Sequence, residues 1–278
     1  MVESQPRRGT RRRRTRAPAG TVPLSQRAAE LGMTTASLRR YVNLGSVTGQ
    51  VTRVGNRVYV SRDLTANPRR ARRRNVEVLA STRQATLTRE TSETRVSVEI
   101  NLDGQGVYAI QTGEAMLDHL LAQLARHGLL DITLTARGDA LPDAHHLAED
   151  VAIVLGRALR QAIGNGTGIR RMGSAMVPLD DALAQVVVDA GGRGYAVVET
   201  GLEGARVGNL AGELVGHFLE RLALEGGLTL HAKILAGVDP HHKAEALFKA
   251  LARALRQAVE IDPRAANQVP STKGTISG

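Results

Sequence analysis

Two stretches of the chain carry imidazole and carboxylate at a spacing suited to metal chemistry. His145-His146-Leu147-Ala148-Glu149 recurs ninety-six residues later as His241-His242-Lys243-Ala244-Glu245. The match runs on without a gap: residues 145–164 and 241–260 agree at eleven of twenty positions, including a shared Ala-Leu-Arg-Gln-Ala. Imidazole nitrogen and carboxylate oxygen together hold divalent transition metals. On a helix, His145 and Glu149 lie four apart on one face, and His146 and Glu149 three apart. Adjacent histidines point roughly 100° apart around the axis, so one HHxxE can serve two different centres. Doubled by repetition, the motif reads as a dinuclear site.

The repeat extends backwards. His119, within Met116–Leu121, and His217, within Leu214–Leu219, stand 26 and 24 residues before their HH pairs among apolar neighbours. Six histidines and two glutamates thus fall into two equivalent sets of four: His119, His145, His146 and Glu149, then His217, His241, His242 and Glu245.

Helices must position these ligands. The HHxxE stretches are rich in helix formers, and the first contains Gly156 as its one internal glycine. The pattern predicts a strand over Ala85–Glu99, a helix over 114–127, a strand over Leu130–Ala136, a loop, and the first HHxxE helix. Strands Ala182–Val188 and Tyr195–Glu199 flank a Gly-rich turn, and a second helix, strand and HHxxE helix follow. Each unit is then a small sheet with two helices on one face, an α+β layering. Two pseudo-symmetric halves, about 85–175 and 176–270, are expected to pack face to face.

Charge divides the chain. The net charge is +10, yet residues 1–80 hold 18 Arg against four acids, leaving the remainder at −4 with all eight histidines. There is no cysteine, which excludes disulfides and thiolate metal sites. No apolar run approaches a membrane span and no secretory signal appears, so a cytoplasmic protein without a membrane partner is expected.

The basic part has three pieces: a tail over 1–20, a small domain over 21–66 and a linker over 67–84. The tail is Arg-rich with almost nothing apolar, so it is expected to be disordered and to attract polyanions. A transit peptide would also be Arg-rich, but the amphipathic apolar spacing of one is missing. In the small domain, Pro23 to Tyr41 reads as two short helices broken at Gly32, with Thr34 capping the second. Leu38 and Tyr41 are expected to pack on Ala28 and Leu31. Val51–Val60 alternates around Gly55-Asn56, a hairpin signal. Two helices and an Arg-tipped hairpin resemble the winged helix-turn-helix of the MerR and excisionase type. That resemblance implies DNA as partner, with Thr35, Ser37, Arg39 and Arg40 in the major groove and Arg53 and Arg57 on backbone phosphate.

From about Ala85 onward the chain resembles imidazoleglycerol-phosphate dehydratase, an enzyme of histidine biosynthesis. The matching pieces are Arg89 to Thr94 (RETSET), Leu117 to Leu120, His127-Gly128, both HHxxE motifs and Gly168 to Arg171 (GIRR). Thr229 to His231, Glu245 to Lys249 and Pro270 to Gly274 (PSTKG) complete them. Departures are Gly194 after Arg193 where the family usually has Pro, Leu147-Ala148 for a common Thr-Val, and Met172 for a common Phe.

The resemblance implies a hydro-lyase reaction, conversion of imidazoleglycerol phosphate to imidazoleacetol phosphate. The proton removed sits on a carbon with no carbonyl beside it, and the imidazole ring can supply the missing electron sink if metals hold it as imidazolate, which pushes out the neighbouring hydroxyl. It also implies two Mn(II) per active site, although the ligands alone suit iron or zinc equally. By the same resemblance His119, His145, His146, Glu149, His217, His241, His242 and Glu245 are the ligands, with Glu149 and Glu245 also counted as catalytic. Glu93 handles the proton, as both a catalytic and a substrate-binding residue. Arg171, Arg193, Lys249, Ser271 and Lys273 hold the phosphate. His127 is a substrate contact or a structural residue. The family implies a homo-oligomer of 24 subunits with metal sites completed between subunits. Two alternatives stand beside the active dehydratase: a transcription regulator whose dehydratase-like part senses metabolite or metal, and an amino-terminal part that merely anchors polyanions.

Overall fold

The computed structural model describes residues 17–43, 47–54, 57–66, 83–138 and 144–276. The Arg-rich tail to residue 16, nearly all of the expected linker and the Arg40 side chain lie outside the described residues. Two units emerge, Met1–Leu79 and Ala80–Gly278.

In the first unit, β1 (Thr21–Pro23) leads directly into α1 (Leu24–Glu30). The turn after it uses Gly32 at φ +66°, and Met33 N–H reaches back to the Ala28 carbonyl at 2.9 Å. Thr34 then caps α2 (Thr35–Asn43), its hydroxyl accepting the Ser37 N–H at 3.1 Å. β2 (Val47–Thr48) pairs with β5 (Thr65–Ala66), while β3 (Val51–Val54) and β4 (Arg57–Ser61) pair antiparallel with Val54 opposite Arg57. β1 completes the sheet in the order β1-β4-β3. Val22, Leu24, Ala28, Leu38, Val60 and Leu64 form the core. Leu31 and Val42 pack against it beside Leu38, and Tyr41 is half-buried. One hydrogen bond, from Arg27 Nε to the Leu64 carbonyl at 2.9 Å, ties α1 to the end of the sheet.

The second unit is two copies of one plan. In the first half, β6 (Gln84–Glu90), β7 (Thr94–Asn101), β8 (Tyr108–Gln111) and β9 (Asp131–Gly138) make a sheet ordered β6-β7-β9-β8. α3 (Ala115–Gly128) joins β8 to β9, and α4 (His145–Ile163) follows. In the second half, β10 (Met172–Leu179), β11 (Ala182–Asp189), β12 (Tyr195–Glu199) and β15 (Thr229–Ala236) repeat it as β10-β11-β15-β12. A two-stranded ribbon of β13 (Arg206–Val207) and β14 (Leu210–Ala211) precedes α5 (Glu213–Gly226), and α6 (Pro240–Val259) ends the plan. The last strand of each half is reached through a helix and pairs parallel with a strand that precedes that helix, β9 with β8 and β15 with β12.

One expectation needs correction. Ala85–Glu99 is a hairpin instead of one strand, because Thr91 closes a turn by accepting the Thr94 N–H at 2.9 Å. Strand β10 covers residues to which the sequence reading gave no element, pairing with β11 along its full length. Within the expected 85–278 domain, Ile276 is buried in the core beyond the second half.

The helices are amphipathic on more than one side because they lie between the two sheets. α4 packs on β6 and β7 and against α5; α6 packs on β10 and β11 and against α3. The chain's two phenylalanines, Phe218 on α5 and Phe248 on α6, are fully buried against each other with ring centroids 5.5 Å apart. Gly156 sets the α4–α5 approach: a Cβ there would lie 2.8 Å from the Leu222 carbonyl oxygen. Each helix pair therefore joins one element from each half.

Candidate metal centre and active site

That crossing rearranges the ligands. His119 on α3 does not meet the first HHxxE; it meets the second. His119 Nε2 lies 2.9 Å from Glu245 Oε2, and His241 Nε2 lies 3.1 Å from the same oxygen. The two rings stack with centroids 5.4 Å apart. In mirror fashion, His217 on α5 joins His145 and Glu149 of α4, with rings stacked at 4.9 Å and His217 Nε2 3.8 Å from Glu149 Oε1. In each trio the ligand atoms all lie within 4.8 Å of one another, close enough to share one ion. The expected sets of four, each drawn from a single half, are thus corrected to sets that draw on both.

His146 and His242 stand apart from these trios. Their rings sit edge-on to their neighbours, at 87° for His145 with His146 and 84° for His241 with His242. This follows from successive positions on a helix. His146 Nδ1 lies 3.3 Å from Glu93 Oε2, and His242 Nδ1 lies 2.6 Å from Asp181 Oδ1.

The helix starts are built to hold these side chains. Asp239 caps α6, its carboxylate accepting the N–H of His241 at 2.7 Å and of His242 at 3.1 Å, with Pro240 in the first turn. The Glu93 turn is fastened to α4 beside Glu149: Thr94 Oγ1 donates to Asp150, and Arg89 NH1 lies 2.5 Å from the same carboxylate. Asp150 is buried, so the arrangement holds the RETSET turn in one place over the HHxxE helix.

Each glutamate has a cation in attendance. Lys249 Nζ is 2.6 Å from Glu245 Oε1, and Arg221 Nε is 3.3 Å from Glu149 Oε1. Burial pushes the Glu245 carboxyl up, but the Lys249 ammonium and the His119 ring outweigh it and hold the group at about 2. It is an anion at neutral pH. His127 faces the opposite balance: burial first, then Lys249 and Arg253, push its imidazole below the usual value, and Gln123 Oε1 lies 3.1 Å from its Nε2. Asp181 is held below the usual carboxylate range by the Val238 N–H, His242 and the Asp239 N–H, and it raises His242 in turn.

The phosphate candidates divide. Arg171, at φ +71°, clamps Asp189 through two bonds of 2.6 and 2.9 Å and donates to the Pro270 carbonyl at 3.0 Å. That places Arg171 against the Ser271–Lys273 turn, where Ser271 Oγ accepts the Lys273 N–H at 3.2 Å. Arg193 is exposed, and the Lys249 ammonium is turned to Glu245. In the first unit, Thr35, Arg39 and Arg57 line one groove with Pro23, Leu24, Ser25, Val58 and Tyr59. Arg53 is exposed, and the Ser37 hydroxyl bonds to Thr34.

Sequence reasoning missed Arg221, Asp181 and Asp150. Asp150 was signalled by its place directly after Glu149, and Asp181 by its place directly before a strand, as Glu93 is. Arg221 carried no signal, since its counterpart four residues beyond His119 is Gln123.

The donor set suits a divalent ion on its own terms. His217 Nε2 is buried, aimed at Glu149, and has no hydrogen-bond partner among the described residues. A buried imidazole nitrogen in that position is costly unless something accepts or binds it.

Known proteins match this arrangement. The family model for imidazoleglycerol-phosphate dehydratase matches residues 112–255. The imidazoleglycerol-phosphate dehydratase of Dinoroseobacter shibae is 53% identical over 194 residues, 70% of this chain and 100% of that protein. That of Methanothermobacter thermautotrophicus is 50% identical over 194 residues, covering 98% of its length. The crystal structure of the Pyrococcus furiosus enzyme superposes with a TM-score of 0.58 at 38% identity, over 68% of this chain and 99% of that one. The Staphylococcus aureus enzyme gives 0.57 at 32% identity, over 64% of this chain and 99% of that one. The chain belongs to the imidazoleglycerol-phosphate dehydratase family.

Proposed function

We propose that the chain dehydrates imidazoleglycerol phosphate to imidazoleacetol phosphate as a manganese(II)-dependent step of histidine biosynthesis in the cytoplasm. The observation that carries the reading is the pair of His-His-Glu trios assembled across the two halves. Two divalent ions, bound by His119, His241 and Glu245 and by His145, His217 and Glu149, would supply the electron sink by engaging the substrate's imidazole ring. His146 and His242, turned away from the trios, are left to complete sites with neighbouring subunits of a 24-subunit shell. Metal removal should dissociate such a shell, and a sedimentation run showing a fully active monomer would contradict it.

The rest is the work of the chain's own residues. Glu93 takes the proton from carbon: its carboxylate is half-exposed and reaches His146, while its turn is fixed by Asp150. Passed on, that proton lets the neighbouring hydroxyl leave as water, and the enol left behind tautomerises to the ketone. Arg171, Ser271 and Lys273, which the fold gathers around the Pro270 carbonyl, hold the phosphate together with Arg193 and Lys249. His127, whose imidazole is pushed below its usual value by burial and Lys249, contacts the substrate beside them or supports α3. Expression in a cell that lacks its own dehydratase tests the reading. Growth without histidine is the expected outcome; failure to grow despite soluble protein would contradict it.

A second reading concerns the first unit, which we propose to be a winged helix-turn-helix that binds DNA. It is supported by Thr35 and Arg39 of α2 sharing one groove with Arg57 at the strand start. Arg40, Arg53 and Ser37 would add contacts along the same duplex. Binding to specific and scrambled duplexes across a salt series separates base recognition from a plain polyanion anchor. Equal affinity for both duplexes at every salt would contradict sequence-specific binding.

A further inference from the structure

An acidic residue immediately precedes the inner strand of each sheet, Glu93 before β7 and Asp181 before β11. Both strands have eight residues, and each acid faces the second histidine of the HHxxE helix packed on its own sheet. The equivalence ends there. Asp181 Oδ1 lies 2.6 Å from His242 Nδ1, while its Oδ2 accepts the N–H of Val238 at 2.5 Å and of Asp239 at 3.1 Å. Gly237 makes that approach feasible: its φ is +131°, and a Cβ would lie 2.9 Å from the Ala182 Cα. Three donors therefore fix the Asp181 carboxylate. Glu93 is one methylene longer and half-exposed, with His146 at 3.3 Å as its ion-pair partner.

We infer that Asp181 is a positioning residue for the dehydration: it holds His242 with the proton on Nδ1 and so presents Nε2 to a divalent metal ion. A carboxylate can only accept, so the shared proton sits on the imidazole, and the lone pair of the neutral ring is then on Nε2. Asp180 Oδ2, 3.4 Å from that Nε2, adds a second negative charge on the metal-facing side. The two halves thus divide the work of one ancestral position. In the second half the acid is tied to the backbone and locks a ligand; in the first it is left with the reach to move a proton.

The inference rests on the reading of His242 as a ligand, and one set of measurements separates the two. Manganese binding to the full chain is followed by equilibrium dialysis for wild type, Asp181→Ala, His242→Ala and the double variant. Asp181→Ala should weaken one of the two bound ions by about 10–100-fold and leave the other unchanged. The double variant should bind no more weakly than His242→Ala alone, because Asp181 acts through that ring. Additive losses would overturn the inference, as would wild-type affinity in Asp181→Ala when His242→Ala is impaired. Wild-type affinity in His242→Ala would instead remove the ligand reading itself. Should Asp181→Ala fail to fold, Asp181→Leu, close to Asp in size but without an oxygen to accept the Nδ1 proton, carries the same test with the same outcomes.

Discussion

His119 Nε2 and Glu245 Oε2 lie 2.9 Å apart although 126 residues separate them. The contact joins an early helix of the first half to the last helix of the second, so neither half can assemble this trio by itself. The site is therefore a readout of how the halves cross. Replacing Glu245 with Gln should remove one of the two bound ions by weakening it a hundredfold or more, roughly the upper scale seen for outer-sphere partners. Metal analysis showing two ions held at wild-type affinity would contradict the trio.

Glu93 is assigned to the proton and not to the metal. Glu93→Gln keeps the shape and the Thr91–Thr94 turn, so both ions should stay bound. Turnover should fall by roughly 10²–10⁴-fold, the range general acid–base groups contribute. Loss of an ion along with activity would make Glu93 a ligand.

Gly156 tests the crossing directly. Alanine is the better helix former by about 1 kcal/mol, yet its Cβ would sit 2.8 Å from the Leu222 carbonyl oxygen and 3.0 Å from the Gly226 nitrogen. Overpacking of that kind costs roughly 1–3 kcal/mol, so Gly156→Ala should lower the melting temperature despite its propensity. The ion at His145, Glu149 and His217 should weaken first, because α4 and α5 carry it. A variant as stable as wild type with both ions intact would contradict this close approach.

Asp131 gives the pH dependence. Burial pushes its carboxyl up, but the N–H groups of Val107 at 2.9 Å and Gln105 at 2.8 Å, with Asn101, outweigh that and leave it below the usual value of 3.8. A carboxylate depressed in the folded state contributes stability that is present above the unfolded value and is lost as pH falls through the folded one. Asp131→Asn should therefore be less stable by on the order of 1 kcal/mol at pH 7. The gap to wild type should close progressively once the pH drops below 3.8. Thermal melts that keep the same gap at low pH would contradict the assignment.

Much of this was legible in the sequence because it repeats. The doubled HHxxE, the spacing of His119 and His217, and most helix and strand positions follow from period and composition. Which histidine meets which glutamate did not, because that depends on α3 crossing to α6 and α4 to α5, a non-local choice that no local pattern encodes. Arg221 and Asp181 escaped for a related reason: a single charged residue in mid-helix or just before a strand looks like solvated surface until its partner is seen. β8 escaped because four residues carry too little alternation, and its pairing with β9 is parallel and arrives through a helix.

The proposed dehydration depends on ions held in the two trios. Turnover of imidazoleglycerol phosphate by metal-stripped protein, before and after manganese is restored, tests it most directly. No turnover is expected in the stripped protein, with full recovery at two ions per chain. Turnover that persists without metal, or that stays absent with two ions verifiably bound, would contradict it.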